Sequence, residues 1–339
     1  MDHASTMMGP IMVHLTGNQS LGQELFLSST PVIPDEASRE IISRFFLNRF
    51  GHTFEQFRFT EEGSSSVLTL CRELLGNPEK LPTVSEQLAR RLFDCSTHPR
   101  IKPGEFHVTT FGAYPSANGP VRAVGLFKTE TKTGFLKVSH DGQSVTLHVQ
   151  EGIDLNKFDK GCLILEADQE DPIVMIVDQH SRGEEAVYWR EQFLGCEPRN
   201  TNYRQTTGMM QATREFVTGY LEQELDVSKA DKIDLLNRSV SYFKSNEQFE
   251  PEEFEQNVLA DPGIIRTFRR FNEEQEEPVF ERGAAISAAA VKQQARVFRS
   301  VLKLDRNFHI YIHGNRELIQ QGKDPDGRKF YKLYYDSET

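Results

Sequence analysis

The chain is poor in the residues that staple or anchor a fold. Its four cysteines, Cys71, Cys95, Cys162 and Cys196, lie far apart and form no C-x-x-C pair. That spacing argues against a disulfide framework or a zinc ribbon, and reads as buried thiols in a reducing cytoplasm. No apolar run approaches the roughly 20 residues a membrane helix requires. The longest runs, "GCLIL" and "IVMIV", are strand-sized. The opening "MDHASTMMGP" lacks a basic stretch followed by an apolar one, so no signal peptide or membrane association is expected. There is no G-x-x-x-x-G-K-[ST], no G-x-G-x-x-G after a strand and no G-x-S-x-G, so the common phosphate-loop, dinucleotide and hydrolase signatures are absent and no cofactor is expected. Positive charge is also scarce: 39 Lys and Arg stand against 50 Asp and Glu, a formal net charge of −11.

Aromatic mass is plentiful. The 339 residues include 24 phenylalanines, enough to dominate a core. A chain of this length can form two or three modules. Residues 11–200 read as an α+β domain. "IMVHLT" is a first strand, "PDEASREIISRFFLNRF" a helix begun by Asp35, and two helices follow near 64–76 and 82–95. The period then changes to two. "EFHVTTFGAY", "VRAVGLFKTET", "FLKVSHDGQSVTLHV", "GCLILEAD", "IVMIVDQ" and "AVYWREQF" follow at short spacing, which predicts a curled antiparallel meander packed on the helices. Residues 201–283 are a helical segment, with Ser228 and Asp231 resembling a capping box and "DPG" at 261–263 opening a helix. "NEEQEEPVFERG" reads as an acidic linker. Residues 284–339 form a C-terminal helix and small β-meander, with "DPDG" as a turn.

Charge is unevenly distributed along this plan. Residues 1–200 carry net −8, residues 201–284 net −7, and residues 285–339 net +4. Lys292, Arg296, Arg299 and Lys303 recur at i, i+4, i+7 and i+11, one stripe if helical, with Val291, Ala295, Phe298 and Leu302 as an apolar stripe beside it. The alternative is that the helix stops near Arg296 and "RSVLKLD" is already a strand, where even spacing still puts Arg299 and Lys303 on one face. Arg306, Arg316, Lys323, Arg328 and Lys329 extend the cationic series. A phosphate backbone suits such a surface, because each cation that neutralises a phosphate releases condensed counterions. The competing reading is an ordinary solvated face. Arg266, Arg269 and Arg270 precede a run of glutamates, so intramolecular pairing is expected of them.

Other candidate chemistry is weak. His309 and His313 have H-x-x-x-H spacing, but "FHIYIHG" alternates as a strand, which sets their Cα atoms roughly 13 Å apart, too far to share one ion. Glu166, Asp168, Asp171 and Asp178 could suggest a metal-dependent nuclease, yet no E-x-K lysine accompanies them. "DQHS" brings Asp178, His180 and Ser181 only into sequence adjacency, and Cys95 with His98 shows no sign of an activated thiolate. No catalytic or metal-ligating residue is assigned.

Motifs along nearly the whole length resemble a family. "VHLTGNQSLGQELFLSS", "STHPRIKPGEFHV", "EGIDLNKFDKGCLI", "YWREQFL", "VSKADKIDLLNRSVSYFK", "QARVFRSVLKLDRNFHIYIHGNRELI" and "FYKLYY" occur in order as in the bacterial nucleoid-associated proteins of the YejK/NdpA type. The resemblance implies a nucleoid location and association with DNA, without residue roles to carry over. The combined expectation is an α+β, non-enzymatic protein that contacts double-stranded DNA non-specifically through Lys292, Arg296, Arg299, Lys303, Arg306, Arg316, Lys323, Arg328 and Lys329. Two rivals stay open. One is an acidic interaction module for a basic or DNA-bound protein partner, the other a nuclease built on the Glu166–Asp178 acids. The sequence leaves a homo-oligomer equally open.

Overall fold

The computed structural model describes residues 7–50, 55–60, 66–116, 119–156, 158–166, 172–178, 188–275, 279–298, 301–304, 308–311, 318–335 and 337. The protein is α+β and divides into two compact units, 1–199 and 200–339.

The first unit is built on an antiparallel sheet of eight strands among the described residues: β1 (Met8–Thr16), β2 (Leu25–Phe26), β3 (Phe57–Phe59), β4 (Gly104–Ser116), β5 (Gly119–Thr129), β8 (Lys160–Leu165), β9 (Ile173–Asp178) and β10 (Cys196–Pro198). Their spatial order is β10-β3-β9-β8-β5-β4-β1-β2. The central strands are apolar on both faces, which explains the unbroken runs "GCLIL" and "IVMIV". Val124, Leu126, Cys162 and Ile164 point to one side, into a core with α2 (Val67–Gly76) and α3 (Leu81–Cys95). Ala123, Phe127, Leu163 and Leu165 point to the other, against α1 (Glu36–Leu47). There Phe46 stacks on Phe127 with ring centroids 4.1 Å apart. Asp35 caps α1, accepting from the Ser38 amide at 2.8 Å.

Two sequence expectations change here. "AVYWREQF" is not a strand over its described part. Tyr188–Phe193 is a single wide helical turn that buries Tyr188, Trp189 and Phe193 together in the first core. Aromatics at helical spacing outweigh the local β-propensity. The hairpin "FLKVSHDGQSVTLHV" also stands outside the sheet. β6 (Lys132–His140) and β7 (Val145–Ile153) form their own two-stranded ribbon, because β5 pairs directly with β8. The four cysteines are free; Cys71, Cys162 and Cys196 are buried, and Cys95 is partly buried against the same core.

The second unit contains α4 (Asn202–Glu215), continued by a wide turn Phe216–Tyr220 and by Leu221–Glu224, then α5 (Lys229–Ser245), α6 (Pro262–Glu273) and α7 (Ala288–Gln294). The expected caps form: Ser228 Oγ accepts from the Asp231 amide at 3.1 Å, and Asp261 Oδ1 from the Gly263 and Ile264 amides at 2.7 and 3.0 Å. The core is a cage of phenylalanine rings, including Phe216, Phe243, Phe249, Phe254, Phe268 and Phe271. Phe280 enters this cage, with centroids 4.9 Å from Phe268 and 5.6 Å from Phe249. The segment expected as a linker is therefore tied to the core at Phe280, and burying one ring fixes it there.

Candidate nucleic-acid interface

The C-terminal element begins at α7. Ser287 caps the helix, and its amide donates to Thr206 Oγ1 on α4 at 2.9 Å. Val291 and Phe298 are buried in the phenylalanine core, as the apolar stripe requires, which turns Lys292 and Arg296 outward as exposed side chains. The helix ends at Gln294, so the four-cation stripe does not continue on one helix; the reading in which the helix stops near Arg296 is the one found. Two hairpins follow. β11 (Val301–Leu304) pairs with β12 (Phe308–Tyr311), setting Lys303 opposite His309. β13 (Ile319–Lys323) pairs with β14 (Lys329–Leu333). Both dock on the start of α5, where Leu304, Ile310, Ile319 and Tyr331 gather around Ala230 and Ile233.

The register of the second hairpin decides its chemistry. Ile319 is buried, so its face of the hairpin turns inward at that end. Lys323 and Lys329 lie directly opposite each other at the far end of the same face. Arg328 sits beside them in a tight turn, where Asp324 Oδ1 accepts from the Arg328 amide at 2.8 Å and Gly327 adopts φ +81°. Only a residue without a Cβ takes that conformation at little cost. The other face carries Phe330 over Gly322 and, near it, Lys332 with its ammonium 4.8 Å from the Tyr334 ring. Lys332 is an exposed cation that the sequence reading left unassigned; the alternation of "FYKLYY" was its signal.

Elsewhere in the same unit some cations are neutralised, while Arg214, Lys229, Lys244 and Arg266 are exposed and have no ion pair among the described residues. Arg269 pairs with Glu255 at 2.6 Å and Arg270 with Glu224 at 2.9 Å, so intramolecular pairing is found for two of the three expected arginines, with glutamates outside the run that follows them, and Arg282 reaches both Glu250 and Glu252. Among the described residues, no carboxylate pairs with Lys292, Arg296, Lys323, Arg328 or Lys329. Arg299, Arg306 and Arg316 lie outside the described residues, as does His313. Lys323, Arg328 and Lys329 are therefore neighbours, and Lys292 lies on α7 with Arg296 in the turn just past its end.

The rival carboxylates are occupied. Glu166 receives the fork of Arg122. Asp178 accepts from Lys160 Nζ at 2.9 Å through both oxygens. Asp168, Asp171, His180 and Ser181 lie outside the described residues. Among the described residues no group of three or more His, Cys, Asp or Glu could hold a metal ion. Beside Asp178 lies a buried polar network. Lys128 Nζ donates to the Lys102 carbonyl at 2.8 Å and to Tyr188 Oη at 3.2 Å, and pairs with Glu130 at 2.9 Å. Tyr188 Oη donates to Glu130 at 3.1 Å. Burial holds the Lys128 ammonium below its ordinary pKa, opposed by the Glu130 carboxylate, and pushes the Tyr188 phenol well up. These groups satisfy one another and brace the sheet.

What the geometry defines is a two-unit α+β protein carrying an exposed cluster of cations, without carboxylate partners among the described residues, on a C-terminal hairpin. The chain belongs to the family described as nucleoid-associated protein YejK, whose model matches residues 13–339. A comparison with the curated proteins finds no match. Among the described residues no helix is long and apolar enough to cross a membrane.

Proposed function

We propose that this chain is a non-catalytic component of the nucleoid that holds double-stranded DNA through its phosphate backbone, using Lys323, Arg328 and Lys329 at the hairpin end with Lys292 on α7 and Arg296 just past its end. Lys303, Arg299, Arg306 and Arg316 belong to the same proposal by sequence. The observation that carries it is that Lys323, Arg328 and Lys329 stand together at one hairpin end, exposed and without a carboxylate partner among the described residues, whereas the helical unit's Arg269, Arg270 and Arg282 are neutralised by glutamates. Family membership supports a nucleoid role. Net charge does not oppose the reading strongly, since fields between exposed groups fade over about 8–10 Å at physiological salt. The sequence holds neither a zinc-finger pattern nor an evident helix-turn-helix, which favours contacts that position rather than specify.

The test is duplex affinity measured over a series of salt concentrations. Replacing Lys323, Arg328 and Lys329 together by Gln should flatten the slope of log affinity against log salt by about 2.7, or about 0.9 for each lost phosphate contact. The loss should be equal on unrelated DNA sequences. An unchanged slope rejects the residue assignment, and a loss confined to one sequence rejects backbone binding.

A further inference from the structure

The β6–β7 ribbon raises a problem that the rest of the fold does not solve. Its strands pair over nine residues each, from Lys132↔Ile153 at the root to His140↔Val145 at the tip, a span of roughly 30 Å at about 3.3 Å per residue. The root is held firmly. Asp159 accepts from the Glu130 and Thr131 amides at 2.6 and 3.0 Å and from Thr131 Oγ1 at 2.7 Å, and Lys132 pairs with Glu105. Beyond the root the ribbon has no third strand among the described residues.

Register sorts its side chains into two unlike faces. Phe135↔Gln150, Lys137↔His148 and Ser139↔Thr146 make one face largely polar, with a hydroxyl pair at 2.9 Å between Ser139 and Thr146. Leu136↔Val149 and Val138↔Leu147 make the other apolar, continued by Val145. These five residues are 63–78% exposed. A two-stranded hairpin is marginal in water without a covered apolar face. Here the alternation has built such a face and left it bare.

We propose that this face is covered by the same face of a second copy of the chain, the two ribbons packing as a small two-fold sandwich. Three observations select that occupant. The cover must be flat, uncharged and about as long as the ribbon, and among the described residues no other surface sets as many exposed aliphatic side chains in cross-strand register. Lys132, Glu151 and His140 share this face toward its ends and the five aliphatic positions carry no charge, so the aliphatic stretches of two identical faces meet without like-charge conflict, as a two-fold contact demands. The area is also sufficient. At roughly 100 Å² for each of the five side chains, two copies remove roughly 1,000 Å² from water, the lower bound for a specific interface, before flanking residues are added. Layers packed this way stand about 10 Å apart, which leaves room for the interlocking of Leu and Val.

The experiment is sedimentation of the full chain, without DNA, over a hundredfold range of concentration. The wild-type protein should run at twice the 38.8 kDa chain mass. A quadruple variant, Leu136→Thr, Val138→Thr, Leu147→Thr and Val149→Thr, keeps β-propensity and favourable cross-strand pairs. It should run at the mass of one chain, with unchanged far-ultraviolet circular dichroism. A wild-type monomer at every concentration overturns the proposal, whatever the variant does. A dimer that persists in the quadruple variant overturns it equally, by placing the interface elsewhere. Since no DNA enters the measurement, neither result depends on the nucleic-acid reading.

Discussion

Lys323 and Lys329 face each other as the strand pair next to the turn of the β13–β14 hairpin, both exposed, with Arg328 adjoining. Like charges directly opposite on a sheet are destabilising, by the same few tenths of a kcal/mol to about 1 kcal/mol that a favourable pair contributes. A polyanion placed over the hairpin end would relieve that repulsion, so the feature that weakens the isolated hairpin would strengthen the proposed complex.

Lys323→Gln should therefore separate stability from binding. The expected outcome is a thermal midpoint equal to or slightly above that of the wild type, together with weaker duplex binding and a salt slope flatter by about 0.9. Calorimetry and anisotropy titrations on the same preparation check both halves. A variant that loses stability and keeps its affinity contradicts the arrangement.

The buried Lys128–Glu130 pair supports a second prediction. Their side chains are 0% and 7% exposed. Lys128→Ala leaves the carboxylate buried without its cation, at a cost of about 3–5 kcal/mol, readable as a lower urea midpoint. The double variant Lys128→Met with Glu130→Gln removes both charges and should recover most of that loss. Equal damage from both variants would show that the network matters through its hydrogen bonds to Lys102 and Tyr188, not through its charge.

His107 gives the stability a pH dependence of definite sign. It is buried between Phe46 and Thr129, and burial holds its pKa down to about 4; Glu105 pulls the value up, while Lys132 and His14 push it down. The unfolded chain binds the proton near 6.5. Between those values the unfolded state holds more protons than the folded one, so this contribution is complete above about pH 6.5 and is lost as the pH falls toward 4. The loss is up to roughly 3 kcal/mol. His14, also lowered by burial, acts in the same direction. Denaturation of wild type and His107→Gln at several pH values should show a shallower fall in the variant between about pH 6.5 and 4. Parallel curves would remove His107 from the account.

Much of the fold was legible because its signals are local. Asp35, Ser228 and Asp261 announce helix starts by side chains that reach amides two or three residues on, and the structure places all three as caps. The double-faced strands "GCLIL" and "IVMIV" were readable from their unbroken apolar runs. "AVYWREQF" was misread because Tyr188, Trp189 and Phe193 suit a strand by propensity, and only the neighbouring Phe106 ring and α3 make the helical turn the better packing. The linker reading of "NEEQEEPVFERG" failed for the same reason, since one buried Phe280 outweighs a run of charges.

The sequence alone determined the periodicities, the caps, the fate of the cysteines and the rise of positive charge toward the C-terminal end, since each depends on neighbours along the chain. The tertiary structure decided which of the described cations keep a carboxylate and which go without, that Lys323 and Lys329 share a face, and that five aliphatic side chains of the ribbon are exposed in the single chain. Those outcomes depend on strand register and on residues many positions away, and a one-residue shift in register would have turned each of these side chains to the opposite face.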